Sequence, residues 1–142
     1  MTDLVNEAFE QAVVLLNAEN NKTENLPYEV ATFLRVYSAQ GVIDNGGYCY
    51  FFENDWPENP TYSDFVNAYH SIGCISQANE LKRVVETFPF ENPHINMERR
   101  CQFMDENEDD GFLEIWGDEL CGDEEVWQKL EKYYIRHKNK FA

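Results

Sequence analysis

The side chains that could do chemistry in this sequence are carboxylates, and the first group stands near the N-terminus. Asp3, Glu7 and Glu10 fall at positions i, i+4 and i+7 of an amphipathic segment, so a helix would place them in one row. Positions four apart are separated by about 6 Å along a helix axis, close to the separation of successive phosphates on a nucleic-acid strand. This row could present charge to a basic protein, although an ordinary solvated helix face has the same pattern.

A second group of carboxylates lies near the C-terminal end of the chain. Residues 105–128 carry 11 acidic residues and no Lys or Arg. Acids at this density repel one another, and this repulsion destabilises the folded state unless a bound cation reduces it. A solvated acidic loop and a functional surface both fit this composition. The candidate surface residues are Asp105, Glu106, Glu108, Asp109, Asp110, Glu114, Asp118 and Glu119.

Calcium binding is one function that this acidic stretch could serve. A loop starting at Asp105 begins like an EF-hand, but its sixth position, which needs glycine, is Asp110. A start at Glu106 supplies the glycine but leaves Gly117 where the closing glutamate should stand. Neither register works, so we expect no metal and no other cofactor.

Enzymatic motifs are absent from the sequence. It contains no nucleophile elbow, zinc-binding helix motif, phosphate-binding glycine loop or dinucleotide fingerprint. The three histidines, His70, His94 and His137, have no paired ligand spacing. We therefore expect a non-catalytic protein. The sequence would not reveal an enzyme whose site is assembled only in three dimensions, and this possibility ranks below a binding function.

The overall charge restricts the partners and the compartment. The 142 residues carry a net charge of −16, which would repel nucleic acid and anionic membranes and favours a basic partner. No apolar run is long enough to span a membrane, and no signal peptide is recognisable, so we expect a cytoplasmic protein. The cysteines, Cys49, Cys74, Cys101 and Cys121, stand 20 or more residues apart, as is typical of free thiols.

The periodicity of apolar residues predicts an all-α fold in a single compact domain over residues 1–142, with about seven or eight helices. Thr2 is a plausible N-cap of the first helix. In the helix that we expect after Asn92-Pro93, the inward residues would be Ile95, Met97, Cys101 and Met104. The predicted helices cover about residues 2–18, 27–40, 61–72, 76–88, 93–106 and 112–120, and a last one starts at Asp123.

The stretch Asn45-Gly46-Gly47 is followed by a run of aromatic residues that must lie inside the fold. An asparagine and two glycines are typical of a turn, because a positive φ is easily adopted only by glycine. We therefore predict that the second helix ends near Ser38 or Gln40. After the turn, a short buried helix would carry Tyr48, Phe51 and Phe52, and Asn54 would follow it.

This pattern resembles the DNA mimic protein 19 family of small acidic bacterial proteins. The shared features are a helix, Asn-Gly-Gly and an aromatic residue, two further residues, Phe-Phe, one residue and Asn. The family motif has a glutamine where this sequence has Tyr50. A weaker similarity continues through Ile72-Gly73 to the tail at 134–137, so the resemblance covers about residues 28–141.

The resemblance implies a binding function. The family's named activity is DNA mimicry, exerted as a dimer on a transcription factor. We therefore predict an acidic, homodimeric binding protein that occupies the DNA-binding surface of a basic partner. The same electrostatics also fit an acidic immunity or antitoxin protein that neutralises a basic toxin, and the sequence does not separate these two functions.

Overall fold

The computed structural model of the protein describes residues 2–107 and 116–142, and in this part of the chain all regular structure is helical. The buried apolar side chains of all six α-helices belong to one core. The prediction of an all-α fold is therefore confirmed. The α-helices are α1 (Asp3–Ala18), α2 (Tyr28–Glu53), α3 (Tyr62–Ser71), α4 (Ile75–Val85), α5 (Met97–Glu106) and α6 (Glu124–Arg136), and 3-10 helices span Thr23–Asn25, Pro93–Ile95 and Lys138–Phe141.

The predicted number of seven or eight helices is not confirmed in the described part of the chain. The described residues form six α-helices. The first four residues of the helix predicted over 112–120 lie outside the described residues. From Trp116 to Leu120 the chain has turns and a bend instead of a helix.

The first and last α-helices follow the sequence pattern closely. The Thr2 side chain caps α1 by accepting a hydrogen bond from the Val5 amide at 3.3 Å. Asp123 caps α6 in the same way, with the Glu125 amide at 2.9 Å. The apolar residues of the C-terminal segment are buried, and they are Trp127, Leu130, Tyr134 and Phe141.

The second helix is much longer than predicted. It does not end near Ser38 or Gln40 but stays helical up to the non-helical Gly47, and beyond this kink a second helical piece reaches Glu53. The reason is that Gln40 is completely buried and its amide is fully bonded: Oε1 accepts from the Tyr69 hydroxyl at 2.8 Å, and Nε2 donates to the Leu120 carbonyl at 2.7 Å. Because its polar groups are hydrogen-bonded, Gln40 can be buried, and the helix continues through the core.

The Asn-Gly-Gly segment forms a kink that separates two helical pieces of α2, and the predicted turn is not confirmed. Gly47 has φ 69° and ψ −165°, a conformation that is essentially restricted to glycine, and this agrees with the predicted positive φ. Gly46 is required for space, because an added Cβ would lie 2.5 Å from the Cβ of Tyr50. Asn45 itself is exposed.

Beyond the kink, the aromatic residues enter the core as predicted. Tyr48 is 4% exposed, and Phe51 and Phe52 are 0% exposed. The Phe52 ring makes edge contacts with Tyr62 and Phe88, with centroids 5.1 and 4.9 Å apart. This end of α2 is therefore the centre of the aromatic packing.

The fifth helix differs from the prediction in both its start and its buried face. Asn96, and not Asn92, caps it by accepting from the Arg99 amide, and Pro93 starts a 3-10 helix. Of the four residues predicted to point inward, Met104 is buried and Cys101 is half-buried, whereas Ile95 and Met97 are exposed.

The residue that occupies the core side of α5 is Arg100, which is 0% exposed. Its Nε donates to the Phe52 carbonyl at 2.9 Å, and Nη1 donates to the Pro93 carbonyl at 2.7 Å. Its Nη2 donates to the Asn54 carbonyl at 3.3 Å and to Asp55 Oδ1 at 2.8 Å. The guanidinium thus satisfies carbonyls at the end of α2, which lack helical partners.

The kink at Gly47 predicts that two Gly→Ala substitutions in α2 have opposite effects on the stability of the fold. Gly47→Ala should destabilise the fold by about 1–3 kcal/mol, because alanine is strained at this backbone conformation. Gly41→Ala should stabilise it by about 0.5–1 kcal/mol, since Gly41 is helical and an added Cβ meets no atom within 4 Å. Urea unfolding of both variants tests this, and equal midpoints would contradict the role assigned to Gly47.

Adjacent arginines offer a second test. Arg100→Met should destabilise by about 2–5 kcal/mol, because it leaves buried carbonyls without donors. Arg99 is exposed and lies over the Phe90 ring at 4.4 Å, so Arg99→Met should cost no more than about 1 kcal/mol. Thermal unfolding of the pair measures the difference, and similar losses would show that the buried guanidinium is not required.

Candidate acidic interface

The three acidic residues predicted near the N-terminus form an exposed row on α1, which we call the α1 row (Asp3, Glu7 and Glu10). The opposite face of α1 is anchored in the core, where Val5, Ala8 and Ala12 are buried. The carboxylates therefore stand on an ordered helix. Ordered acids lose less conformational entropy when they bind a partner than acids on a flexible loop do.

Glu7 is also held by the last helix. The Tyr134 hydroxyl lies 3.3 Å from Glu7 Oε2 and 3.0 Å from Gln11 Oε1, and both oxygens can accept from it. Burial, and then the Glu7 charge, raise the pKa of Tyr134, so the hydroxyl stays a donor at neutral pH. One carboxylate of the α1 row is thus restrained by α6, and its other oxygen remains for solvent or a partner.

A second pair of exposed acids, Asp105 and Glu106, lies in the last turn of α5 and is called here the α5 pair. The last turn contains no basic residue. Acidic residues at a helix C-terminus oppose the helix dipole by about 0.3–1 kcal/mol each. The helix therefore carries these charges at the end where they stabilise it least.

The remaining acidic candidates are only partly described. Asp118 and Glu119 are exposed in the loop between Trp116 and Asp123. Glu108, Asp109, Asp110 and Glu114 lie outside the described residues.

The two acidic groups pack at different places along α2. The α1 helix lies against its first part, where Phe9 stacks on Tyr37 with ring centroids 4.2 Å apart. The α5 helix joins the opposite end, where Arg100 binds the Phe52 carbonyl. From Tyr37 to Gly46 alone, the helix rises about 14 Å. The α1 row and the α5 pair therefore stand on helices that pack at different places along α2.

Asp44 is an acidic residue with a structural role that the sequence analysis did not identify. Its Oδ1 accepts from Gln40 Nε2 and from the Gly122 amide, both at 2.7 Å. Its Oδ2 accepts from Trp127 Nε1 at 2.9 Å. This carboxylate joins α2, the loop before α6, and α6 itself. Its position just before Asn-Gly-Gly was the only sequence signal, and it gave no indication of these distant partners.

The described residues give no geometric support to metal chemistry. Within 2–107 and 116–142, no group of three or more His, Cys, Asp or Glu side chains is arranged to hold a metal ion. Cys74, Cys101 and Cys121 are free thiols, and burial raises the pKa of Cys74 to about 12. Among the helices of the described ranges, none is both long and apolar enough to cross a membrane.

The sequence was compared with protein families, curated proteins and solved structures. The model of a family described as DMP19-like protein matches residues 24–138. The chain belongs to the DMP19-like protein family. The searches of curated proteins and of solved structures gave no match.

The DMP19-like match covers the two acidic groups unequally. It includes the α5 pair, Asp118 and Glu119, and also Tyr134. It begins after α1, so the α1 row lies outside the matched residues. The family match therefore includes the second acidic group and leaves out the α1 row.

The buried tyrosines predict how the fold responds to alkaline pH. Burial raises the pKa of Tyr48, Tyr62 and Tyr69, so the folded state keeps protons that the unfolded chain releases above about pH 10. Stability from these groups is complete below that pH and is lost as pH rises toward the folded-state pKa values. Tyrosinate absorbance and circular dichroism, followed together, should change cooperatively for these residues. Their full ionisation with retained helicity would contradict this.

Proposed function

We propose that the protein is a non-catalytic DNA mimic, which occupies the DNA-binding surface of a basic partner such as a transcription factor. The observation that carries the proposal is the α1 row: three exposed carboxylates at helical spacing on an anchored helix. Adjacent members are separated by about 4.5 and 6 Å along the helix axis. The family description points to the same activity, because DMP19 abbreviates DNA mimic protein 19.

The charge balance supports this function. Among the described residues, ion pairs join Arg83 to Glu80 and Arg100 to Asp55. The α1 row and the α5 pair do not take part in an ion pair with any described residue. Their charges are thus available to a partner's Lys and Arg side chains, as the phosphates of DNA would be.

A homodimer is part of the proposal. The family resemblance implies that two copies act together, and two copies would present each acidic group twice. Repeated groups on a rigid dimer could match the two half-sites that a dimeric DNA-binding protein reads on DNA. Light scattering at micromolar concentration measures the mass, and a monomer there would remove this part of the proposal while leaving DNA mimicry by one copy.

The decisive experiment neutralises the α1 row without changing its shape. The variant Asp3→Asn/Glu7→Gln/Glu10→Gln keeps an oxygen at position 7 that can accept from Tyr134. The partner, captured from an extract of the native cell, should bind it more weakly by about 0.2–1 kcal/mol for each charge in contact. The dependence of log affinity on log salt should also become less steep, by up to about 0.9 for each contacting charge.

A control with the same net charge separates local contact from overall electrostatics. Glu19, Glu24 and Glu91 are exposed outside both acidic groups, so Glu19→Gln/Glu24→Gln/Glu91→Gln removes three charges elsewhere. It should affect affinity less than the α1-row variant does. Duplex DNA should displace the wild-type protein from its partner. Affinity that is indifferent to salt, to the α1-row variant and to DNA would reject the mimicry.

A further inference from the structure

A polar pocket between the first half of α2 and α3 is not used by the proposed function. Its volume is about 330 Å³, and it lies on the side of α2 that faces α3. This volume is at the lower end of the range of small-molecule sites, about 300–1,000 Å³. The hydrogen-bonding residues that line it include Tyr28, Thr32, Arg35, Asn67, His70 and Ser71.

Arg35 is the residue that makes this pocket unusual. Residues 1–81 contain 12 acids and only two bases, Lys22 and Arg35, yet Arg35 is half-buried. The ion pairs between described residues involve Arg83 and Arg100, and not Arg35. A partly buried charge without a counter-charge is unfavourable, so a bound anion would stabilise it.

A carboxylate that also lines this pocket, Asp64, has a structural role at the start of α3. Its Oδ2 accepts from the Thr61 amide at 3.0 Å as part of the capping box of α3. It lies beyond the 4 Å limit of an ion pair with Arg35. The helix start therefore engages one oxygen of Asp64, and no ion pair joins this carboxylate to Arg35.

The walls of the pocket are held in place before any ligand binds. The Tyr28 hydroxyl and Ser71 Oγ are 2.6 Å apart and join α2 to α3. Thr32 is 2% exposed on the α2 side. Asn67 and His70 are exposed on α3, and their side chains can supply N–H donors beside the guanidinium.

We propose that this pocket binds a small-molecule oxyanion, a carboxylate or a phosphate, and that Arg35 contacts the anion. A planar guanidinium donates two parallel hydrogen bonds to either group, and hydroxyl and amide donors complete such a site. The many acids of the chain repel anions at long range, so recognition depends on these short contacts. The site is separate from the α1 row and the α5 pair and does not rest on the DNA mimicry.

The test is a titration of the full chain with inorganic phosphate and, separately, with succinate, followed by ¹H–¹⁵N spectra. At least one of the two anions should give saturable shifts in residues 28–35 and 64–71 and in the Arg35 Nε signal, below about 10 mM. The anion that binds more tightly shows whether the pocket prefers a phosphate or a carboxylate. No saturable shift with either anion would overturn the proposal.

Two variants with the same net charge show whether Arg35 makes the contact. Arg35→Gln should weaken the tighter anion by about tenfold or more, whereas Lys22→Gln, which removes an exposed charge outside the pocket, should bind like the wild type. If Arg35→Gln does not fold, Arg35→Lys keeps the charge without the planar fork and should also weaken binding by about tenfold. Binding within about twofold of wild type in the folded Arg35 variant would overturn the proposal.

Discussion

The buried guanidinium of Arg100 joins the C-terminal end of α2 to α5 beside the aromatic core. The last carbonyls of a helix have no partners within it, and here those of Phe52 and Asn54 are turned toward the interior near α5. Arg100 supplies the donors for them, and it also binds the Pro93 carbonyl before α5 begins. Because the Phe52 ring lies at the centre of the aromatic contacts, the same interaction that completes the helix also positions the core around it.

Charged groups in this protein are divided between structure and surface. Asp44 and Arg100 are bonded to groups from distant parts of the chain, and these bonds compensate for their removal from water. The carboxylates of the α1 row and the α5 pair are exposed and have no described cationic partner. The fold thus tolerates a net charge of −16 by keeping most of its acids in solvent, where repulsion is screened.

The sequence predicted those elements whose signals are local. Periodic apolar residues and caps located α1 and α6, and two glycines located the kink in α2. It did not predict that Gln40 and Arg100 are buried, because both are compensated by groups more than 25 residues away in the chain, at Tyr69 for one and Phe52 for the other. A polar residue looks like a helix end or an exposed face when its distant partner is unknown.

The candidate sites show the same limit. Helical spacing alone predicted the α1 row, and the structure finds its three residues exposed on one helix. The Arg35 pocket needs α3 to pack against α2, and Asp44 needs Gly122 and Trp127 beside it. No spacing within one element contains that information.

The packing of α1 has a consequence for where the independently folding unit begins. The family match starts at residue 24, but α1 inserts three fully buried side chains into the core, and Phe9 covers the Tyr37 ring. A fragment cut at the family boundary would uncover the Tyr37 ring and leave the Tyr134 hydroxyl without its bonds to Glu7 and Gln11. Newly exposed apolar surface favours association between molecules. We therefore expect the independently folding unit to extend upstream of the family boundary and to include the helix that carries the α1 row.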